Sequence, residues 1–314
     1  MKKTLLISGF AALLGTSAMA AETVGVSMAL FDDNFLTVLR NGIEKDAKDK
    51  GVTVQIQDAQ NDVAKQLDQI NNFIASGVNA IIVNPVDTSA TQAMTDAAAK
   101  ANVALVYVNR QPVNLSTLPA TQAYVGSDDL ESGTLETKEV CRLLKEAGKT
   151  EANAYVIMGE LSDRAAVTRT KDIHDVIAGN DCGVKITILD EQTSNWQRDQ
   201  AQNLMTNWLS AGKEFDAVIA NNDESALGAI QALKAANIGM DKVVVAGIDA
   251  TQDALVAMQA GELDVTVFQN AFAQGSGALD TAVKLAKGEK VEREVWVPFE
   301  LVTPANLKDY VAKN

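Results

Sequence analysis

The chain has 314 residues, with 27 Lys and Arg against 41 Asp and Glu and a formal net charge of −14. Such an acidic surface repels phosphate and argues against nucleic acid as a main partner, while 47% apolar residues exclude a mostly disordered chain. Five prolines and 20 glycines exclude a collagenous or low-complexity chain, and a single His leaves little room for His-based metal sites. The N-terminus reads as a targeting segment. Lys2 and Lys3 precede an uncharged apolar run over 4–15, and Ala18-Met19-Ala20 is a small-x-small cleavage signal. Cleavage is expected after Ala20, so that 1–20 is a signal peptide and the product is exported to the periplasm. From there the pattern alternates. Strands are expected at 24–30, 52–56, 80–83 and 103–108, with helical stripes over 35–47, 63–74 and 89–101 between them. The rhythm returns with strands at 154–158, 184–189, 217–220 and 243–246, and with helices at 164–178, 196–211, 224–236 and 252–261. Strand 264–268, helix 272–287 and strand 294–302 close the chain. Short apolar strands joined by crossover helices specify parallel sheets covered on both faces. The run Ile81-Ile82-Val83-Asn84 is echoed by Val218-Ile219-Ala220-Asn221, which points to two α/β lobes of similar build.

No phosphate loop, dinucleotide fingerprint, nucleophile elbow, zinc motif or calcium loop is present. No cofactor, no metal and no catalytic residue is therefore expected. His174 reads as a helix-face residue beside Asp175. Cys141 and Cys182 lie 41 positions apart. In an oxidising compartment they suit a structural disulfide, with two buried free thiols as the alternative.

The informative residues follow the strands, because ligands of open parallel sheets bind beyond the strands' carboxyl ends. The first strand leads into Phe31-Asp32-Asp33-Asn34-Phe35, the third ends at Asn84 and the fourth at Asn109-Arg110. In the second half, Ser162-Asp163 and Arg169, then Trp196, Asn221-Asn222-Asp223 and Asp249, and later Gln269-Asn270 occupy the matching places. Carboxylates, amides and an Arg fork exchange hydrogen bonds with hydroxyls, and Phe35 and Trp196 can cover the C–H face of a ring. The competing reading is that Asp and Asn after strands only cap helices. A set spread over eight strand ends suits a neutral, hydroxyl-rich molecule held between two lobes.

FDDNF at 31–35, DAQND at 58–62, VYVNR at 106–110, YVGSDDLESG at 124–133, ANNDESALGAIQALKA at 220–235 and AGIDAT at 246–251 together resemble the periplasmic sugar-binding proteins of the ribose/galactose type, the capturing components of ABC importers. The resemblance implies two Rossmann-like lobes joined by a three-segment hinge. It implies a first lobe of 21–126 plus about 251–282, and a second of 127–250 plus about 283–314. It places ligand contacts on Asp33, Phe35, Asn84, Asn109, Arg110, Arg169, Trp196, Asn222, Asp249 and Gln269. Ala165 stands where the galactose/glucose branch has an acid, and Leu36 where the ribose branch has a second aromatic. The wording is most similar to the inositol/rhizopine-binding branch. The implied function is capture of myo-inositol or a related cyclitol for an inner-membrane ABC permease. The implied protein is a monomer and not an enzyme, and the resemblance allows a chemoreceptor as a further partner. Ribose or galactose/glucose binding, or a sugar-processing enzyme drafting Asp33 and Asp249, are the alternatives.

Overall fold

The computed structural model describes residues 22–179 and 181–313. The expected signal peptide, 1–20, lies outside the described residues. The first lobe alternates strands and helices from the start: β1 (Thr23–Met28), α1 (Asn34–Lys50), β2 (Thr53–Asp58), α2 (Val63–Ser76), β3 (Ala80–Val83), α3 (Thr91–Ala101), β4 (Ala104–Val108) and β5 (Gln122–Gly126). The second continues with α4 (Asp129–Glu146), β6 (Glu151–Met158), α5 (Arg164–Ala178), β7 (Lys185–Thr193), α6 (Arg198–Ser210), β8 (Ala217–Ala220), α7 (Asp223–Ala235), β9 (Val244–Ala246), α8 (Gln252–Gln259) and β10 (Thr266–Gln269). The end of the chain adds α9 (Ala271–Ala286), β11 (Glu294–Trp296) and β12 (Phe299–Val302).

Two sheets result. The first has the order β11-β5-β4-β3-β1-β2, all parallel. The second has the order β7-β6-β8-β9, also parallel. The bridge from Ala246 to Val265 and that from Asp249 to Phe268 attach the antiparallel pair β10–β12 beside β9. Strands β3, β4 and β8 are buried throughout, which explains their unbroken apolar reading.

The parallel α/β architecture agrees with the sequence, and three details differ. β5 and the 18-residue α4 are additional to the expected elements. The single strand expected over 294–302 is two strands in different sheets. Pro298, which cannot donate to a ladder, stands between them. The expected lobe limits also shift. Ala254, Leu255 and Met258 of α8 pack with Leu227 and Ile230 of α7, so α8 belongs to the second lobe. Ala278, Leu279 and Ala282 of α9 pack with Leu39 and Ile43 of α1, in the first. The chain therefore passes between lobes near Ser127, at Asn270 and at 297–298.

Cys141 and Cys182 are bridged, with Cα atoms 5.1 Å apart. The bridge sits in an apolar cluster with Val140, Leu144, Val176 and Val184. Closing a loop of 41 residues removes freedom from the unfolded chain worth about 4 kcal/mol. The double variant Cys141→Ser/Cys182→Ser is expected to lose stability of about that size in chemical denaturation. A loss below about 1 kcal/mol would contradict the cross-link account.

Candidate functional site

The carboxyl ends of both sheets face one cavity between the lobes. Asp33, Phe35, Leu36, Asn109 and Arg110 line it from the first lobe. Asp129, Asp163, Ala165, Arg169, Trp196, Asn222, Asp249 and Gln269 line it from the second and from the hinge. Nine of the ten residues expected from the sequence thus come together.

Asn84 is the exception, and its correction has a clear cause. The residue is fully buried. Its Oδ1 accepts from the Ala29 N–H at 3.3 Å, and its Nδ2 donates to Asn109 Oδ1 at 3.1 Å. It tethers the ends of adjacent strands and does not line the cavity. Asn221, its counterpart in the sequence echo, is equally buried and accepts from the Gly159 N–H at 3.0 Å. The echo therefore marks a repeated structural tether.

Helix capping and cavity lining are not alternatives here. Asp33 caps α1 through the Leu36 N–H at 2.7 Å. Asp163 caps α5 through Ala165, and Asn222 caps α7 through Ser225. Three helix N-termini consequently converge on the cavity. Three wall residues also have left-handed or positive-φ backbone: Asn109 at 65°, Trp196 at 66° and Asp249 at 125°. Such conformations cost free energy in non-glycine residues and are held where the surrounding structure fixes them. The Trp196 ring lies against Gly159, where a Cβ would come within 2.1 Å of it, so only glycine leaves room for the indole.

Arg169 is the central cation of the second-lobe wall. It is 4% exposed, and its Nη1 donates to the Asn221 carbonyl at 2.8 Å. Its Nη2 donates to Gln269 Oε1 at 3.0 Å and lies 3.5 Å from Asp129 Oδ1. Around it stand more carboxyls than one guanidinium can balance. Burial pushes Asp129 up to about 7, against the opposing pull of Arg169. Burial raises Asp249 well above the usual carboxylate range, again opposed by Arg169. Asp33 is raised by burial too, opposed by its bond from Leu36 and by Arg110. Asp129 Oδ2, Arg169 Nε and Trp196 Nε1 are buried without a hydrogen-bond partner among the described residues. These are groups that a hydroxylated guest can satisfy.

Four wall residues lie outside the ten expected contacts: Leu36, Asp129, Asp163 and Ala165. Asp163 stands at a strand end but carries no mark that separates it from an ordinary cap, and Asp129 follows a strand that the apolar pattern does not set apart. His174 lies outside the cavity, half exposed, with Nε2 2.7 Å from Glu191 Oε2. Among the described residues no group of three or more His, Cys, Asp or Glu is arranged to hold a metal ion.

Comparison with known proteins agrees with this fold. A Rhizobium meliloti protein proposed to bind rhizopine is 62% identical over 313 residues, covering 99% of this chain and 100% of the relative. The ABC transporter solute binding protein of Bacillus halodurans C-125, solved with bound myo-inositol, superposes with a TM-score of 0.87 at 39% identity. That match covers 95% of this chain and 100% of the other. The Caulobacter myo-inositol binding protein, bound to myo-inositol, gives a TM-score of 0.83 at 30% identity, covering 93% and 96%. The resemblance to ribose/galactose-type binding proteins holds, and with the periplasmic binding protein domain matching residues 24–290 the chain belongs to that family.

Proposed function

We propose that this chain captures myo-inositol or a closely related cyclitol between its lobes and delivers it to an ABC-type permease. The observation that carries the reading is the cavity wall itself. Carboxyl, amide and guanidinium groups approach from both lobes, and Phe35 and Trp196 supply apolar ring faces. A ring bearing a hydroxyl on every carbon can use polar partners on all sides. Two solved relatives that hold myo-inositol share this fold over nearly their whole length. Leu36 and Ala165 line the cavity at the two places where the ribose and galactose/glucose branches differ from this sequence. The ligand contacts are assigned to Asp33, Phe35, Asn109, Arg110, Arg169, Trp196, Asn222, Asp249 and Gln269, all of which line the cavity. The chain acts without transforming its ligand, as an exported monomer whose first 20 residues are removed, and a chemoreceptor is a candidate second reader of the closed form.

Titration calorimetry on ligand-stripped protein tests the reading. Myo-inositol is expected to bind more tightly than ribose, galactose or glucose, and to be recovered unchanged. Ribose or galactose binding ten times more tightly would remove the cyclitol assignment. No binding of any of them below about 1 mM, only about −4 kcal/mol, would remove solute capture. Small-angle scattering is expected to show a monomer with a smaller radius of gyration when saturated, since contacts from both lobes favour closure.

A further inference from the structure

We propose that Asp223, which does not line the cavity, is a positioning residue: it pins a strained turn and so aims Asp249 at the captured molecule. Asp249 and Ala250 are consecutive non-glycine residues with positive φ, 125° and 53°. Such backbone costs free energy and persists only where its surroundings hold it. Asp249 lines the cavity, so the strain sits at the binding site itself.

Asp223 opens α7 and is fully buried. Its carboxyl accepts three hydrogen bonds. Oδ2 accepts from the Thr251 N–H at 2.8 Å and from Thr251 Oγ1 at 3.3 Å, and Oδ1 accepts from Thr266 Oγ1 at 2.8 Å. Thr266 Oγ1 in turn accepts from the Ala250 N–H at 3.1 Å. The amides of the two residues after Asp249 therefore end on one carboxyl, one directly and one through a hydroxyl. The Asp223 N–H also donates to the carbonyl of Ile248, just before Asp249, at 2.8 Å. The other side of the turn is tied to β10. There the Asp249 N–H donates to the Val267 carbonyl at 2.8 Å, and the Asp249 carbonyl accepts from the Gln269 N–H at 3.2 Å.

An acidic residue in the first turn of a helix ordinarily serves the helix dipole. That role accounts for the charge of Asp223 but not for its contacts. Its three donors belong to Thr251, at the cap of α8, and to Thr266 of β10, not to α7. The cap of α7 is made by Asn222, whose Oδ1 accepts from the Ser225 N–H at 3.1 Å. Asp223 thus joins three strand ends that each present a cavity residue: Asn222 beside it, Asp249 on the turn it holds, and Gln269 bonded to that turn.

The inference rests on the capture reading for its titrations only, because amide exchange tests the turn in ligand-free protein. Measurements belong at pH 8, where Asp223, pushed up to about 7 by burial, is ionised. Asp223→Asn puts an amide donor where only donors converge. It is expected to speed exchange at Ala250 and Thr251 and to weaken myo-inositol binding by about 10- to 100-fold, the scale of a lost hydrogen bond to a charged group. Thr266→Val keeps the shape and removes only the hydroxyl between Ala250 and Asp223. It should weaken binding by about 3- to 10-fold, and it serves if the Asp223 variant fails to fold. Ala250→Gly is the rescue. Glycine adopts positive φ without steric cost, so the turn needs less holding, and the affinity loss from Thr266→Val should shrink in that background. In the Asp249→Asn background Thr266→Val should cost little further affinity, because both changes act through one side chain. Unchanged exchange at Ala250 and Thr251, wild-type affinity in the folded variants, or losses that persist in both backgrounds would overturn the assignment. If myo-inositol fails to bind the wild type, the capture reading falls while exchange still decides whether Asp223 holds the turn.

Discussion

Replacing Arg169 by alanine is expected to weaken myo-inositol binding by about 10- to 150-fold. A hydrogen bond to a charged group contributes about 1.5–3 kcal/mol, and each 1.4 kcal/mol is tenfold in affinity. The guanidinium is held for this purpose from three sides: by the Asn221 carbonyl, by Gln269 and by Asp129. Its backbone is seated as firmly. Gly133 of α4 lies against it, and a Cβ there would come within 2.8 Å of the Arg169 carbonyl. Truncation has a second consequence. Arg169 is the influence that holds down Asp129, Glu136 and Asp249 against burial. Removing one partner from a buried charged set typically costs about 3–5 kcal/mol of stability. The variant should therefore melt lower as well as bind weaker. Titration calorimetry of the fraction shown to be folded separates the two effects. If the folded variant binds as the wild type does, Arg169 serves only the second lobe's interior. Arg169→Lys should fall between the two, because a point charge cannot reproduce the fork.

Much of this site is legible in the sequence because its chemistry follows the strands. In a parallel sheet the loops after the strands share one edge, so the residue order alone groups Asp33, Asn109, Asn222 and Asp249, and all four line the cavity. What the pattern does not encode is direction. Asn84 sits at a strand end like the others, yet its amide turns inward to bond Ala29 and Asn109. Asp129 is hidden for a different reason. β5 has five residues, and the passage from Gly126 to Asp129 both ends it and changes lobe. Nothing in the local pattern distinguishes a crossing from an ordinary βα turn. The same ambiguity explains α8. Its apolar stripe fits any sheet, and only its contacts with α7 assign it to the second lobe. The return through β11 and β12 is blurred because three apolar residues, Val295, Trp296 and Val297, run up to Pro298 without a polar break.

The ligand-free protein is expected to be more stable near pH 5 than near pH 8, the reverse of what an acidic chain rich in exposed ion pairs suggests. The cause is its buried carboxyls. Burial pushes Asp129 and Asp223 up to about 7, and raises Glu136 and Asp249 well beyond the usual range. In the unfolded chain these groups titrate near 4. Between about pH 4 and pH 7 the folded state therefore holds protons that the unfolded state has released. Stability falls with rising pH wherever the folded state binds more protons. The contribution is present in full below about pH 4 and is lost as the pH rises through about 7. A carboxyl moved from about 4 to about 7 is worth up to about 4 kcal/mol, so the summed loss should be at least a few kcal/mol. Surface carboxyls such as Asp190 and Glu300, lowered by side-chain hydrogen bonds led by those from Trp208 and Tyr310, act oppositely but only below about pH 4. Chemical denaturation from pH 4.5 to 8 measures the slope. Glu136 identifies the source: it is fully buried and neither oxygen has a hydrogen-bond partner among the described residues. Glu136→Gln imitates its protonated form and should gain stability at pH 8 while flattening the profile. A wild-type stability that climbs steadily from pH 5 to 8, or a glutamine variant with an unchanged slope, would show that these carboxyls stay ionised in the folded protein.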